Sequence, residues 1–167
     1  PVVCLPPAVK ELGEKQEGCD PLLQKPAWLI EEEDVSKWLA DSKNKEITIH
    51  ATTQDGLKAI LGGGIDIDRY GSTAAMFGRG FYTSVTPEFQ ALGAELRTAI
   101  RLRNPVIGTR ADVTKWFADN GIVDTMTARE RVLALGHDGL IIHFDDGSKW
   151  VIAYKDDAVK IIRKKPK

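Results

Sequence analysis

The residues best suited to chemistry lie in one stretch, 47–84, which reads ITIHATTQDGLKAILGGGIDIDRYGSTAAMFGRGFYTS. It carries His50 near the end of its first apolar run and Tyr82 in its second. A histidine can donate, accept or exchange a proton near neutral pH, and a tyrosine offers an aromatic face with a polar tip. A lone histidine on a strand is more often a hydrogen-bonded structural residue. The order of histidine, threonine, short helix, glycine run and Gly-Arg-Gly-Phe-Tyr makes this stretch the candidate site.

The sequence lacks the common motifs for metal and nucleotide binding. His50, His137 and His143 have no metal-ligand spacing, and there is no nucleophile elbow or Walker loop. The GRGFY segment precedes a strand instead of a helix, so it is not a dinucleotide fingerprint. The LGGG run ends a helix, whereas a phosphate cradle uses a helix N-terminus. We therefore expect no metal and no Rossmann-type or P-loop site.

Two strands and one helix must position His50 and Tyr82. The alternation in EITIHAT predicts the first strand, with the histidine near its end. TTQDGLKAILGGG predicts a helix with Thr52 or Thr53 as N-cap and glycines as its stop. Residues 64–80 predict an irregular loop, and a loop this long is typical of functional sites. GFYTS then predicts the second strand.

The remaining segments predict a mixed α+β domain. Further helices are predicted in IEEEDVSKWLADS, TPEFQALGAE, RADVTKWFADNG and TMTARERVLALG, and further strands in LRTAIRLRNPVIG, HDGLIIHF, SKWVIAY and AVKII. The long strand places Arg97, Arg101 and Arg103 on one face, which is either a solvated surface or a patch for an anionic ligand or nucleic acid. Because helices and strands do not alternate regularly, a doubly wound fold is excluded, and a split or strongly bent sheet is expected.

Composition and charge are those of an ordinary folded domain. The chain has 167 residues, of which 43% are hydrophobic and 28% charged, with a formal net charge of −1. This is enough to bury a core, and it gives no global attraction to nucleic acid or a membrane surface. No apolar run approaches the ~20 residues of a membrane span, so we expect no membrane insertion.

The N-terminal segment differs from the rest of the chain. Residues 1–27 contain five of the 8 prolines, which predicts a Pro-rich arm or linker before a domain over 28–167, with Trp28 as its anchor. Cys4 and Cys19 lie in this arm, and free thiols are favoured over a disulfide, which would require an oxidising compartment. Because the sequence begins with proline instead of methionine, we expect a fragment of a longer protein.

Three segments, in order along the chain, resemble motifs of the ADP-ribosyltransferase superfamily. IHATTQDGLKAILGGGI resembles the H-G-T segment, in which a strand ends in histidine and a short helix leads to a glycine. FGRGFYTS resembles the F-G-K-G-I-Y-F motif of the poly(ADP-ribose) polymerase and diphtheria-toxin side, which has a His-Tyr-Glu signature. LGHDGLIIHF and SKWVIAYKDDAVKII resemble the closing G-Y-D-G-I and E-[YW]-V-V segment, also seen in bacterial polymorphic toxins. The matches cover residues 46–162.

The resemblance implies that NAD is the substrate. His50 would hydrogen-bond a ribose hydroxyl, and Ala51, which replaces the family's glycine, would offer backbone groups to the nicotinamide amide. Tyr82 would stack on the nicotinamide ring, and the loop before it would act as a lid. By the same resemblance, the residues that bind NAD would be His50, Ala51, Thr52, Arg69, Arg79, Tyr82 and Ser84, with either arginine meeting the diphosphate.

The third residue of the signature is missing from its usual place. The family's glutamate precedes an aromatic residue that here is Trp150, so Lys149 occupies its slot. A lysine cannot take over as base at neutral pH unless it is strongly desolvated. Asp145 or Asp146 in another register, or Glu130, would supply the carboxylate, or the protein has little transferase activity. The candidate catalytic residues are therefore His50, Tyr82, Asp145, Asp146 and Lys149.

The sequence thus predicts an ADP-ribosyltransferase toxin or effector domain that modifies a macromolecule, either a protein or RNA. Its expected partners are NAD, this acceptor and a cognate immunity protein, and its expected place of action is the cytoplasm of a target cell. Two alternatives stay open. One is a catalytically weak or inactive module that binds NAD or nucleic acid, and the other is an RNA 2′-phosphotransferase of the same fold.

Overall fold

A mixed sheet of eight strands is the central layer of the described part of the chain. The computed structural model describes residues 26–71, 76–88 and 90–163. The strands are β1 (Leu29–Ile30), β2 (Ile47–Thr52), β3 (Phe81–Ser84), β4 (Ala94–Ile100), β5 (Val106–Thr109), β6 (Gly139–His143), β7 (Lys149–Ala153) and β8 (Val159–Ile162). Their order in the sheet is β1-β8-β4-β2-β3-β7-β6-β5. The β1–β8 and β5–β6 pairs are parallel, and the other pairs are antiparallel.

Short helices flank this sheet. They are α1 (Val35–Trp38), α2 (Gln54–Gly63), α3 (Ile67–Tyr70), α4 (Arg110–Asp119) and α5 (Ala128–Ala134). The predicted α+β class is confirmed. The Thr53 hydroxyl caps α2 by accepting from the Gly56 amide at 3.0 Å, and Thr109 forms a capping box with Asp112 at the start of α4. None of the helices in the described residues has the length and apolar character needed to cross a lipid bilayer.

The sheet is weakly joined at its middle. β2 pairs with β4 through six consecutive residue pairs, from Ile47↔Ala99 to Thr52↔Ala94. On its other side, β2 pairs with β3 only at Ile49↔Ser84. Beyond this pair β2 and β3 form no further ladder pair in the described residues, which divides the sheet into a β1-β8-β4-β2 half and a β3-β7-β6-β5 half. The residues that follow Ile49 on β2 therefore face an opening in the sheet.

Apolar side chains from the helices cover both halves of the sheet. Ile60 of α2 and Ile67 of α3 pack in one cluster with Phe81 and Val151. A second cluster lies under α4 and α5, and it includes Val113, Phe117, Val132, Leu140, Ile152 and Tyr154. A third, smaller cluster packs α1 against the β1 edge. The first cluster contains side chains from both halves of the sheet, so one core connects them.

Two sequence predictions are wrong. TPEFQALGAE does not form a helix, because β4 begins at Ala94 and only a 3₁₀ turn, Gln90–Leu92, precedes it. Pairing with β2 overrides the local preference of these residues. LRTAIRLRNPVIG forms two strands instead of one, because Pro105 cannot donate to a sheet ladder and the Asp138 carboxylate accepts from the Arg103 and Asn104 amides, at 2.7 and 3.1 Å.

The three arginines of that segment have partners within the chain. Arg97 pairs with Glu32 at 2.8 Å and Arg103, which lies beyond the end of β4, pairs with Asp41 at 2.6 Å. The Arg101 guanidinium lies 4.7 Å from the centroid of the Trp38 ring. These contacts favour the solvated-surface interpretation of the arginine face, and a nucleic-acid patch there stays a prediction. Cys4 and Cys19 lie outside the described residues.

Candidate functional site

A cleft of about 720 Å³ lies where β2 and β3 diverge. Its lining includes His50, Ala51 and Thr52 from β2, the stretch 80–84 containing β3, and Trp150 from β7. The α2 helix and the loop after it supply further lining residues. The volume falls within the ~300–1,000 Å³ range of small-molecule sites. The structure therefore brings together the ends of the first two predicted motifs around one cavity.

His50 bridges the two strands at the point where they separate. Its Nδ1 atom lies 2.8 Å from the carbonyl oxygen of Tyr82, and its ring stacks on Phe81 with centroids 4.0 Å apart. A carbonyl oxygen only accepts, so Nδ1 must carry a proton. Burial lowers the pKa of the imidazole, and the smaller effect of the Tyr82 hydrogen bond acts in the opposite direction. At neutral pH the ring is therefore uncharged, and its Nε2 is a hydrogen-bond acceptor.

The lowered pKa of His50 should make folding stability depend on pH. The unfolded chain binds a proton at this imidazole below about pH 6.5, while the folded chain resists it. The free energy of unfolding should therefore fall as pH drops below this value, by up to about 1.4 kcal/mol per pH unit for one such group. Urea unfolding between pH 5 and 8 should show a shallower dependence in His50→Gln than in the wild type. The matched control is His143→Gln, which makes the same change at an exposed histidine of β6. It leaves the His50–Tyr82 hydrogen bond in place, so the pH dependence contributed by His50 should persist.

Tyr82 is held by the loop that precedes it. Its hydroxyl donates to the Gly78 carbonyl at 2.5 Å and accepts from the Phe77 amide at 3.2 Å. Burial raises the pKa of the phenol, so it stays neutral in the physiological range. The ring meets Trp150 edge-on, at 6.4 Å between centroids. Gly78 has φ +87°, and a Cβ there would lie 2.8 Å from Ala128 Cβ, so the loop requires glycine at this position.

The glycine run forms the far edge of the cleft. α2 ends at Gly63, and the Gly64 amide donates to the Ile60 carbonyl at 2.7 Å. Gly64 has φ +79°, and a Cβ there would lie 2.5 Å from Trp28 Cδ1. The predicted glycine stop is therefore confirmed, and Trp28 packs directly against it. The loop that follows is more regular than predicted, since it contains α3.

The residues predicted to supply the carboxylate do not line the cleft. Asp145 and Asp146 lie in the exposed β6–β7 turn. Asp146 accepts from the amide and hydroxyl of Ser148 at 2.9 and 2.6 Å, and these bonds lower the pKa of its carboxyl. Glu130 is exposed on α5. Lys149 also lies outside the lining, and its ammonium group pairs with Glu46.

The two arginines predicted to meet the diphosphate flank the cleft but do not line it. The Arg79 guanidinium donates to the Asp68 carbonyl, and Arg129 pairs with the Asp68 carboxylate. Arg69 is exposed in α3. Their role in binding phosphate stays a prediction.

Two acidic residues that the sequence analysis did not identify do line the cleft, namely Asp66 and Glu88. Asp66 caps α3 by accepting from the Arg69 amide at 3.1 Å. Glu88 Oε2 accepts from Trp150 Nε1 at 2.7 Å. Because a helix was wrongly predicted over TPEFQALGAE, the sequence analysis missed Glu88. The available signal was the position of Glu88 shortly after the strand that carries Tyr82. No cluster of three or more potential metal ligands occurs within residues 26–71, 76–88 and 90–163.

The sequence matches no protein-family model, and no curated protein shows significant similarity to it. The function is therefore inferred from the cleft geometry and the ordered motifs.

Proposed function

We propose that the protein is an NAD-dependent mono-ADP-ribosyltransferase that modifies a macromolecule. The observation that carries this proposal is that His50 and Tyr82 line one cleft of about 720 Å³. This cleft lies where the two halves of the sheet are joined by a single pair of residues, on β2 and β3. The limited pairing of β2 with β3 also supports the finer assignment of the fold as an ADP-ribosyltransferase-like split sheet. Two motifs that are 32 residues apart in sequence thereby supply adjacent groups.

The chemical state of each group suits NAD. The Nε2 atom of neutral His50 accepts a hydrogen bond from a ribose hydroxyl, while Nδ1 stays engaged with Tyr82. The Tyr82 ring, fixed through its hydroxyl, provides a flat surface for nicotinamide. Ala51 offers backbone groups to the nicotinamide amide, and Thr52 and Ser84 supply hydroxyls to the cleft wall. Holding nicotinamide and ribose rigidly lowers the barrier to breaking the bond between them.

The acceptor and the setting are also part of the proposal. Because Arg97 and Arg103 are paired with acidic residues of the chain, a protein acceptor is favoured over RNA. The resemblance to polymorphic toxins supports an effector that acts in the cytoplasm of a target cell and is neutralised by an immunity protein.

The direct test is release of nicotinamide from NAD. The purified 167-residue chain is incubated with NAD, with and without cell lysate as a source of acceptor, and free nicotinamide is measured. We expect release above the buffer rate and transfer of label from NAD adenine to macromolecules. A chain that neither binds NAD by calorimetry nor releases nicotinamide would contradict the proposal.

A second candidate is an NAD-binding module without transferase activity, and one ion pair favours it. Lys149, at the position of the family's glutamate, pairs with Glu46 at 2.6 Å, and its side chain is only 14% exposed. A half-buried pair of this kind fixes the lysine in a structural role. Such a module would bind NAD and release no nicotinamide.

Reversing this ion pair tests whether Lys149 has a structural role alone. Lys149→Glu alone should lower the free energy of unfolding by about 1–2 kcal/mol, because two carboxylates then meet in a partly buried position. Lys149→Glu with Glu46→Lys should restore stability, measured by urea unfolding, and neither residue lines the cleft. If the wild type is a binding module, the double variant binds NAD and releases no nicotinamide. If the wild type is a transferase, the double variant should release nicotinamide within a few-fold of the wild-type rate.

A further inference from the structure

We propose that Glu88 supplies the catalytic carboxylate of this site, in place of the residue at position 149. This inference rests on the proposed NAD-dependent transfer. It assigns the carboxylate to the segment after β3, whereas the family motif places it on the strand that here is β7. Glu88 lines the same cleft as His50 and Tyr82, although no sequence motif marks it.

The contacts of Glu88 hold its carboxylate beside the proposed nicotinamide site. Its Oε2 accepts from Trp150 Nε1 at 2.7 Å, and the Trp150 ring meets Tyr82 edge-on. No hydrogen bond to Oε1 is formed within the part of the chain that the structure describes. One oxygen thus positions the group, and the other remains for substrate. The tryptophan that marks the family's glutamate position therefore contacts a glutamate from a different segment.

The backbone that carries Glu88 is also anchored. The Val85 amide donates to the Lys149 carbonyl at 3.0 Å, continuing the β3–β7 pairing past the end of β3. The Ser84 hydroxyl donates to the Thr86 carbonyl at 2.5 Å. With the bond from Trp150, these contacts fix the segment at three points. A preorganised carboxylate of this kind stabilises developing positive charge without first having to reorient.

The other acidic residue of the cleft lies at its far edge, after the glycine run. Asp66 Oδ1 accepts from the first turn of α3 there, whereas Glu88 contacts Trp150, which in turn meets Tyr82. Among the lining residues of the described chain, Glu88 is therefore the acid that can serve the reaction.

The proposed step conserves atoms and charge. The bond between ribose C1′ and the nicotinamide nitrogen breaks, and its electron pair leaves with neutral nicotinamide. The Glu88 carboxylate stabilises the positive charge that develops on the ribose. An acceptor hydroxyl, or water, forms the new bond to C1′, and its proton passes to Glu88 and then to solvent.

The test compares Glu88→Gln with Glu95→Gln in the full chain. Glu95 is an exposed glutamate on β4, so the control makes the same chemical change away from the cleft lining. Glu88→Gln should lower nicotinamide release on the order of 10²-fold and leave the dissociation constant for NAD within about threefold of the wild type, because the amide keeps the shape of the side chain. Glu95→Gln should match the wild type in both measurements.

Trp150→Phe supplies a second, independent readout. It removes the indole donor and keeps an aromatic ring next to Tyr82, so release should fall roughly tenfold through misplacement of the carboxylate. In the Glu88→Gln background the same change should have almost no further effect, because the two residues act as a unit. A purely structural Trp150 would instead give the same factor in both backgrounds.

The outcomes separate this inference from the proposed function. If the wild type releases nicotinamide and Glu88→Gln keeps more than half of that rate, the assignment of Glu88 is overturned while the transferase stands. If the wild type releases none, the proposed function fails, and the assignment of Glu88 with it. If Glu88→Gln weakens NAD binding and release by the same factor, Glu88 is a binding residue and the catalytic assignment is overturned.

Discussion

Replacing His50 by asparagine should lower nicotinamide release from NAD on the order of 10²-fold while the domain stays folded. The asparagine amide can donate to the Tyr82 carbonyl as Nδ1 does now, at 2.8 Å. It has no atom at the position of Nε2, so the acceptor proposed for the ribose hydroxyl is lost. Release is measured at saturating NAD, and folding by urea unfolding and by the near-ultraviolet spectrum of the tryptophans.

His50→Gln makes the complementary change. The longer glutamine side chain reaches the Nε2 position and leaves the Tyr82 carbonyl without its donor, which should cost about 1–3 kcal/mol of stability. It should retain more activity than His50→Asn and be the less stable of the two. If His50→Asn released nicotinamide at the wild-type rate, the histidine would be the structural bridge that strand histidines usually are.

His50 contributes both to the contact between β2 and β3 and to the proposed site. Its Nδ1 bond to Tyr82 replaces the backbone bonds that β2 and β3 do not make beyond Ile49↔Ser84. The same bond determines which ring nitrogen is left to accept. The hydrogen bond to Tyr82 and the stacking on Phe81 hold the imidazole ring in one orientation between the two strands. The single pair between β2 and β3 therefore leaves room for the cleft, and the same region positions the group proposed to bind ribose.

Local signals in the sequence were sufficient for the elements around this cleft. The Thr53 cap and the glycine stop delimited α2, and period-two alternation located β2. The β6–β7 hairpin followed from two apolar runs around Asp-Asp-Gly-Ser, whose Gly147 has φ +86°. Each of these features depends on residues close together in the chain, so a single sequence contains the necessary information.

Long-range pairing explains the predictions that were wrong. The segment before β4 has the composition of a helix, but β2 recruits residues from Ala94 onward as a strand partner. Nothing nearby in the sequence signals that partner, because it lies more than 40 residues earlier. The same error led the sequence analysis to miss Glu88, which contacts a residue 62 positions later in the sequence, Trp150. The motifs therefore located the cleft, and only tertiary structure located the acid inside it.

Gly139→Ala should be among the most destabilising small substitutions in the chain, lowering the free energy of unfolding by about 2–3 kcal/mol. Gly139 begins the internal strand β6 and pairs with Ala153 of β7. A Cβ at this position would lie 2.2 Å from the Ile152 carbonyl oxygen and 2.8 Å from Leu102 Cδ2. Ile152 and Leu102 are fully buried, at 0% exposure, so neither can move away without disturbing the core. Urea unfolding should show a lower midpoint with an unchanged slope.

Gly62→Ala is the matched control, with the same added methyl group in an open position. Gly62 lies in α2 and is exposed, and a Cβ added there would meet no described atom within 4 Å outside its own helix turn. Alanine there should raise the free energy of unfolding by about 0.5–1 kcal/mol, because it restricts the unfolded chain and favours helix. Since β7 also carries Trp150, strain at Gly139 should displace the tryptophan that holds Glu88 and lower nicotinamide release as well. Equal stability of the two variants would show that β6 and β7 lie further apart than this packing requires.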